Sequence, residues 1–123
     1  MNNMKNISQL KAKALDWAVA KAQGLSEQNY VRIDNLYGPQ WDGPEYSVDW
    51  AFAGPIIEAN RINIEWRTDA HFGKLLWLAI CHNKGSSCGD TPLEAAMRAY
   101  VMTCLGEWIE VPADLLNPLK AAA

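Results

Sequence analysis

Little in this sequence points to covalent staples, metal chemistry or a membrane. It has three cysteines, Cys81, Cys88 and Cys104. An odd count in a chain long enough to bury its own core argues for reduced thiols rather than a disulfide framework. Histidine is scarcer still, with only His71 and His82. With Cys81 and Cys88 these make four soft or imidazole groups within eighteen residues. Cys81 and His82 are adjacent on an extended segment, however, so they face opposite ways and cannot both reach one ion. No metal and no cofactor is expected. The longest strongly apolar run, Leu75 to Cys81, is far short of the roughly 18 residues that a membrane span needs. Met1 to Lys5 leads into a lysine-rich amphipathic stretch rather than an apolar signal core, so a cytosolic address and no membrane partner are expected. A basic excess is also missing: 11 Lys and Arg face 14 Asp and Glu, for a net charge of −3. Nucleic acid is therefore not expected as a partner, since the one basic concentration is Lys5, Lys11, Lys13 and Lys21. There is no Gly-x-Ser-x-Gly elbow, and His82 beside Ser86, Ser87 and Cys88 lacks an orienting acid at a recognisable spacing.

What the chain does have is apolar bulk and tryptophan. Half of its 123 residues are apolar and a fifth are charged, which suits one domain over residues 1–123 with an ordered core of about 8–116. Six tryptophans and four tyrosines exceed what so small a core requires, so some of them are candidates for a ligand or partner surface.

The periodicity predicts three helical and four extended segments, the last extended one being Trp108 to Val111, with Pro112 to Leu116 suited to a short turn of helix. Leu10, Ala14, Trp17, Ala18 and Lys21 recur at helical steps between a capping Ser8 and a terminating Gly24. Tyr30 to Ile33 alternates like a short strand. Asp49 offers a helix-start carboxylate to a short, irregular second helix interrupted by Gly54-Pro55 and ending near Asn60. Ile62, Ile64 and Trp66 alternate with polar residues as in a half-buried strand, and Leu75 to Cys81 is apolar on both faces, as in a central or doubly covered one. The last helix is the best specified. Thr91 caps it, Pro92 takes the first helical position, Glu94 completes Thr-x-x-Glu, and Gly106 closes it. Its stripe is Leu93, Ala96, Met97, Tyr100, Val101 and Cys104, with Cys81 and Cys104 read as small core residues. The expected fold class is α+β: a small antiparallel sheet of about three strands, centred on Tyr30 to Ile33, Ile62 to Arg67 and Leu75 to Cys81, packed with two main helices and the irregular one.

Three blocks then carry a family resemblance. They are Ala14-Leu15-Asp16-Trp17-Ala18-Val19-Ala20-Lys21-Ala22; Tyr46-Ser47-x-Asp49-Trp50-Ala51 with Gly54-Pro55-Ile56-Ile57-Glu58; and Thr91-Pro92-Leu93-x-Ala95-Ala96-Met97-Arg98-x-Tyr100-Val101 followed by Leu105-Gly106 and Val111-Pro112. In this order they resemble the NinX-like family of tailed-phage accessory proteins, a domain of unknown function, and more broadly the phage ABA-sandwich domains. The resemblance implies helices packed on a small antiparallel sheet and a protein acting in the host cytoplasm. It implies no catalytic residues.

Two segments are candidate sites. The first is the aromatic group Tyr37, Trp41, Tyr46 and Trp50 among glycines and prolines, which suits either stacking on a flat ligand or anchoring a protein partner; the alternative is a satellite core under a long loop. The second is the loop His82 to Asp90, in which Lys84, Ser86, Ser87 and the adjoining glycines run into the start of the last helix and offer contacts to an anion; a plain hairpin is the alternative. Residues Asp34 to Asn60 hold five acids and no base, most simply a solvated face. The reading that follows is a non-enzymatic phage protein that binds and blocks or sequesters a host component, either a host protein or a small nucleotide-like molecule, with counter-defence as one setting. Homo-oligomers remain open. The alternative is a small phage enzyme acting on a nucleotide or nucleic-acid precursor through some of Asp42, Glu45, Asp49 and His82.

Overall fold

A computed structural model describes residues 4–25, 31–34, 38–41, 43–112 and 115. In chain order the elements are β1 (Met4–Asn6), a 3-10 turn (Ile7–Gln9), α1 (Ala12–Ala22), β2 (Val31–Asp34), β3 (Gly38–Trp41), α2 (Trp50–Ala59), β4 (Asn63–Thr68), β5 (Leu75–Cys81), β6 (Gly85–Gly89), α3 (Pro92–Leu105) and β7 (Trp108–Glu110). The architecture is α+β, with β4-β5-β6 as an antiparallel three-stranded sheet beside two antiparallel ribbons, β1-β7 and β2-β3. α3 lies across β5 and β6 and backs onto α1.

The last helix forms as its sequence dictates. Thr91 Oγ1 accepts from the Glu94 N–H at 3.1 Å, and the Glu94 carboxylate reaches back to the Asp90 N–H at 3.0 Å. Two donors at the helix start are thereby satisfied. Between Leu93 and Val101 every side chain except Glu94 is buried, because the sheet covers one side of the helix and α1 the other. Leu93, Met97, Tyr100 and Val101 share one core with Trp17. Cys104 departs from the expected stripe: it is exposed, and only Cys81 of the two is a core thiol. At the last turn of α3 the cover thins, so Cys104 is left largely open although Tyr100 and Cys81 lie near its thiol.

α1 starts later than expected, at Ala12, and Ser8 does not cap it. Ser8 sits in the 3-10 turn, where its own N–H and hydroxyl donate to Asn6 Oδ1. The far end follows expectation. Gly24 adopts φ +79°, its N–H donates to the Lys21 carbonyl, and that of Leu25 to the Ala20 carbonyl, the paired closure of a Schellman motif. Asp49 caps α2 through the Ala51 N–H at 2.9 Å. Pro55 does not break that helix; the carbonyl it leaves unbonded belongs to Ala51, which is exposed and open to water.

The main sheet differs from expectation in one strand. β5 is central, with β4 paired along its whole length and β6 on its other side. The third strand is Gly85–Gly89, from the segment read as a loop. The early strand, expected from Tyr30 and described from Val31, pairs instead with Gly38–Trp41. On the face toward α3, Ile64, Ala79 and Ser87 stand in one row and Trp66, Trp77 and Gly89 in the next. The opposite face alternates Glu65, Leu78 and Cys88 with Asn63, Ile80 and Ser86, and its leucines and isoleucine are only half-buried. β5 is thus central but not doubly covered by described helices.

Candidate functional site

Among the four aromatic candidates, Tyr37 lies outside the described residues. Trp41 closes β3 opposite Val31. Tyr46 is buried: its hydroxyl donates to Gln23 Oε1 at 3.0 Å, and its ring meets Phe52 edge-on with centroids 6.2 Å apart. It is a core residue. Trp50 is the first residue of α2 and is 55% exposed.

The turn that carries these aromatics is pinned to α1. The Ser47 N–H donates to Asp16 Oδ1 at 2.8 Å, and both residues are buried. Burial pushes the Asp16 carboxyl up to about 6, against the opposing pull of the Ser47 N–H and hydroxyl. With residues 45–49 held this way, Tyr46 points inward while Val48, Trp50 and Phe52 remain at the surface, 68%, 55% and 46% exposed. Val48 and Phe52 are exposed apolar residues that sequence reading did not single out. Their alternation with Trp50 across the helix start was the available signal. Glu45 and Glu58 are exposed on the same stretch and Asp49 is half-buried, so the surface of this stretch is acidic as well as apolar.

The second candidate segment is a hairpin. His82 and Asn83 both take positive φ, 53° and 58°, and the Lys84 N–H donates to the Cys81 carbonyl at 2.9 Å, as in a type I′ turn. Ser86 and Ser87 then alternate in β6, the first exposed and the second buried. Gly85 and Gly89 are needed for packing: a Cβ on Gly85 would lie 2.5 Å from the Ala99 carbonyl oxygen, and one on Gly89 2.7 Å from the Ala95 nitrogen. Lys84 does not join Trp50. Its turn lies by the C-terminal end of α2, where His82 Nε2 meets Asn60 Oδ1 at 3.2 Å, and a ten-residue helix separates its ends by about 15 Å.

A depression of about 470 Å³ does lie along β6, lined by Ser8, Lys74, Ser86, Ser87, Asp90 and Arg98 among others. Lys74 and Arg98 were not in the expected set. Both are already answered by carboxylates: Lys74 Nζ is 3.6 Å from Asp90 Oδ1 and Arg98 Nη1 is 3.2 Å from Glu94 Oε1. Arg98 also donates from Nε to the Leu10 carbonyl at 2.9 Å and from Nη1 to the Cys88 carbonyl at 2.6 Å. Burial lowers its pKa, while Glu94 and Asp90 oppose that shift. An incoming anion would meet Asp90 and find both cations committed, so the depression is poor in the charge that phosphate recognition needs. Glu94 and Arg98, four apart on α3, were the sequence signal for this pair of a buried guanidinium and a half-buried carboxylate.

Among the described residues, no three His, Cys, Asp or Glu side chains converge as metal ligands. No described helix is long and apolar enough to cross a membrane. The family model for Bacteriophage P22, NinX matches residues 6–103. No curated protein matches the chain.

Proposed function

The chain belongs to the bacteriophage P22 NinX family, and from that premise we propose that this phage accessory protein binds a host protein in the host cytoplasm and blocks or sequesters it. The observation that supports this is the exposure of Val48, Trp50 and Phe52 at the start of α2. Large apolar side chains left in water are costly for a free domain, and tryptophan is the residue type that most often anchors a protein contact. The carboxylates of the same stretch, Glu45, Asp49 and Glu58, suit a partner whose apolar contact is flanked by basic residues. A small nucleotide-like ligand fits less well. Tyr46, one of the aromatics expected to stack on it, is turned into the core, and the depression along β6 is lined by other residues. Counter-defence is a setting in which such binding would serve a phage.

The test uses the tagged chain against host lysate, followed by affinity measurement on the recovered protein. Trp50→Ala should keep its melting temperature and lose affinity by about thirtyfold, which corresponds to a hot-spot loss of about 2 kcal/mol. Undiminished binding by Trp50→Ala would place the contact elsewhere. Turnover of a nucleotide by the purified chain would favour the enzymatic alternative.

A further inference from the structure

We propose that the edge of β4, unpaired among the described residues, pairs antiparallel with β4 of a second copy of this chain, about a two-fold axis at Trp66, so that two three-stranded sheets become one continuous sheet. β4 is an edge strand in the order β4-β5-β6, and five of its six residues are exposed, Trp66 at 64%. An exposed edge is a template for another strand, and proteins normally blunt it with charge placed to repel. Here the charge is placed to pair with itself.

The backbone alternation is set by the hairpin. The Asp69 N–H donates to the Lys74 carbonyl at 2.8 Å, in the register that continues through Thr68 opposite Leu75. Asp69, Arg67, Glu65 and Asn63 therefore turn their backbone groups toward β5, and Thr68, Trp66 and Ile64 turn theirs to the open edge. With Trp66 opposite its own copy, these three residues supply the bonds of the new ladder. Glu65 then stands directly opposite Arg67 of the second copy, and Arg67 opposite Glu65, at positions where antiparallel strands bring side chains closest. Within one chain Glu65 and Arg67 already meet at 2.7 Å on the same face, so pairing exchanges that contact for two directly opposed ones. Sliding the strands by two residues either way sets Glu65 against itself or Arg67 against itself. A one-residue slip turns the apolar face of one copy toward the polar face of the other. Charge therefore selects a single register. In that register Trp66, already beside Trp77 across β4 and β5, lies against Trp66 of the second copy on the same sheet face, which removes from water one of the most exposed tryptophans of the domain. The partner is thus a second copy, and the contact is isologous.

The experiment is sedimentation of the full chain at about 100 µM, with thermal melts as the folding control. The wild type should sediment as a dimer of 13.7 kDa chains. Glu65→Arg alone and Arg67→Glu alone set like charges opposite each other twice per dimer and should each weaken self-association by about tenfold or more. An equimolar mixture of these two variants should recover dimers, because every opposed pair is then Arg against Glu. The double exchange, Glu65→Arg with Arg67→Glu, should also dimerise. A wild type that stays monomeric at this concentration, or single variants that dimerise as well as the wild type, would overturn the proposal. So would failure of the mixture while both variants are folded.

Discussion

Arg98 donates through Nε to the carbonyl of Leu10, 88 residues earlier in the chain, at 2.9 Å. The same guanidinium bonds the Cys88 carbonyl, so one buried side chain of α3 ties the edge strand β6 to the segment that leads into α1. Arg98→Met keeps the bulk but leaves two carbonyls and Glu94 without their donor. The expected loss of unfolding free energy is about 3 kcal/mol or more, measured by urea denaturation. Arg98→Lys should recover only part of it, since an ammonium cannot span both carbonyls as a planar fork does.

Replacing glycine by alanine should have opposite effects at two sites. Gly85→Ala drives a methyl group into the Ala99 carbonyl and Thr103 of α3, and a cost of about 2 kcal/mol is expected from overpacking a contact that cannot yield. Gly54 lies inside α2 with nothing within 4 Å of its would-be Cβ. Gly54→Ala should raise stability by about 0.5–1 kcal/mol through helix propensity. Equal effects at the two positions would mean that α3 does not press on β6.

Asp16 sets a pH dependence of defined sign. Its carboxyl is raised from an ordinary 3.8 to about 6 in the folded chain, so the folded state binds its proton more tightly than the unfolded one. The stability it lends is complete below about pH 3.8 and is lost as pH rises through about 6, amounting to about 3 kcal/mol at most. Asp16→Asn keeps an acceptor for the Ser47 N–H and does not ionise. Its stability relative to the wild type should climb between pH 4 and 7 and then level, as read from melts across that range. A relative stability that falls with pH would show that Asp16 is favoured as the carboxylate.

The cysteines should react in a fixed order. Cys88 and Cys104 are exposed and Cys81 is fully buried, so a maleimide should modify two thiols in the native chain and the third only on unfolding. Burial and neighbouring Cys81 raise the Cys104 thiol while Tyr100 opposes them, so Cys104 should label more slowly than an unperturbed exposed thiol. Mass spectrometry of quenched samples distinguishes the sites.

Tyr46 and Trp50 separate core from surface. Tyr46→Phe removes the bond to Gln23 and should lower stability by about 1 kcal/mol. Trp50→Ala should leave the melt nearly unchanged. If Trp50→Ala melts much earlier, the aromatic patch serves the core.

Legibility in the sequence followed the range of the interactions. The start of α3 was readable because Thr91, Pro92 and Glu94 act within one turn, and Gly24 was readable for the same reason. β6 was not. Gly-Ser-Ser-Cys-Gly has the composition of a turn, and its extended form depends on α3 lying flush against two glycines, a contact that local sequence does not encode. Cys104 followed the helical period to the end of α3, where cover is only partial. Tyr46 and Trp50 look alike in the sequence, four residues apart among turn formers, and are sorted into core and surface only by the Asp16 to Ser47 bond from a distant helix. The enzymatic and binding readings drew on the same segment, and the exposure of Val48 and Phe52 there was not legible, because it depends on which residues of the turn face the core.

β1 pairs with β7 so that Met4 faces Glu110, and this has a consequence for synthesis. A ribosome adding about 5–20 residues per second releases the first strand several seconds before its partner exists. Until Trp108 to Glu110 clear the exit tunnel, Ile7 also lacks the Glu107 carbonyl that accepts its N–H. The segment Met4 to Leu10 must therefore wait, unpaired and apolar at Ile7 and Leu10, and this part of the fold closes only after Glu107 to Glu110 have emerged. A stalled or truncated translation product ending before Glu107 should be open at its first strand and a ready target for host proteases.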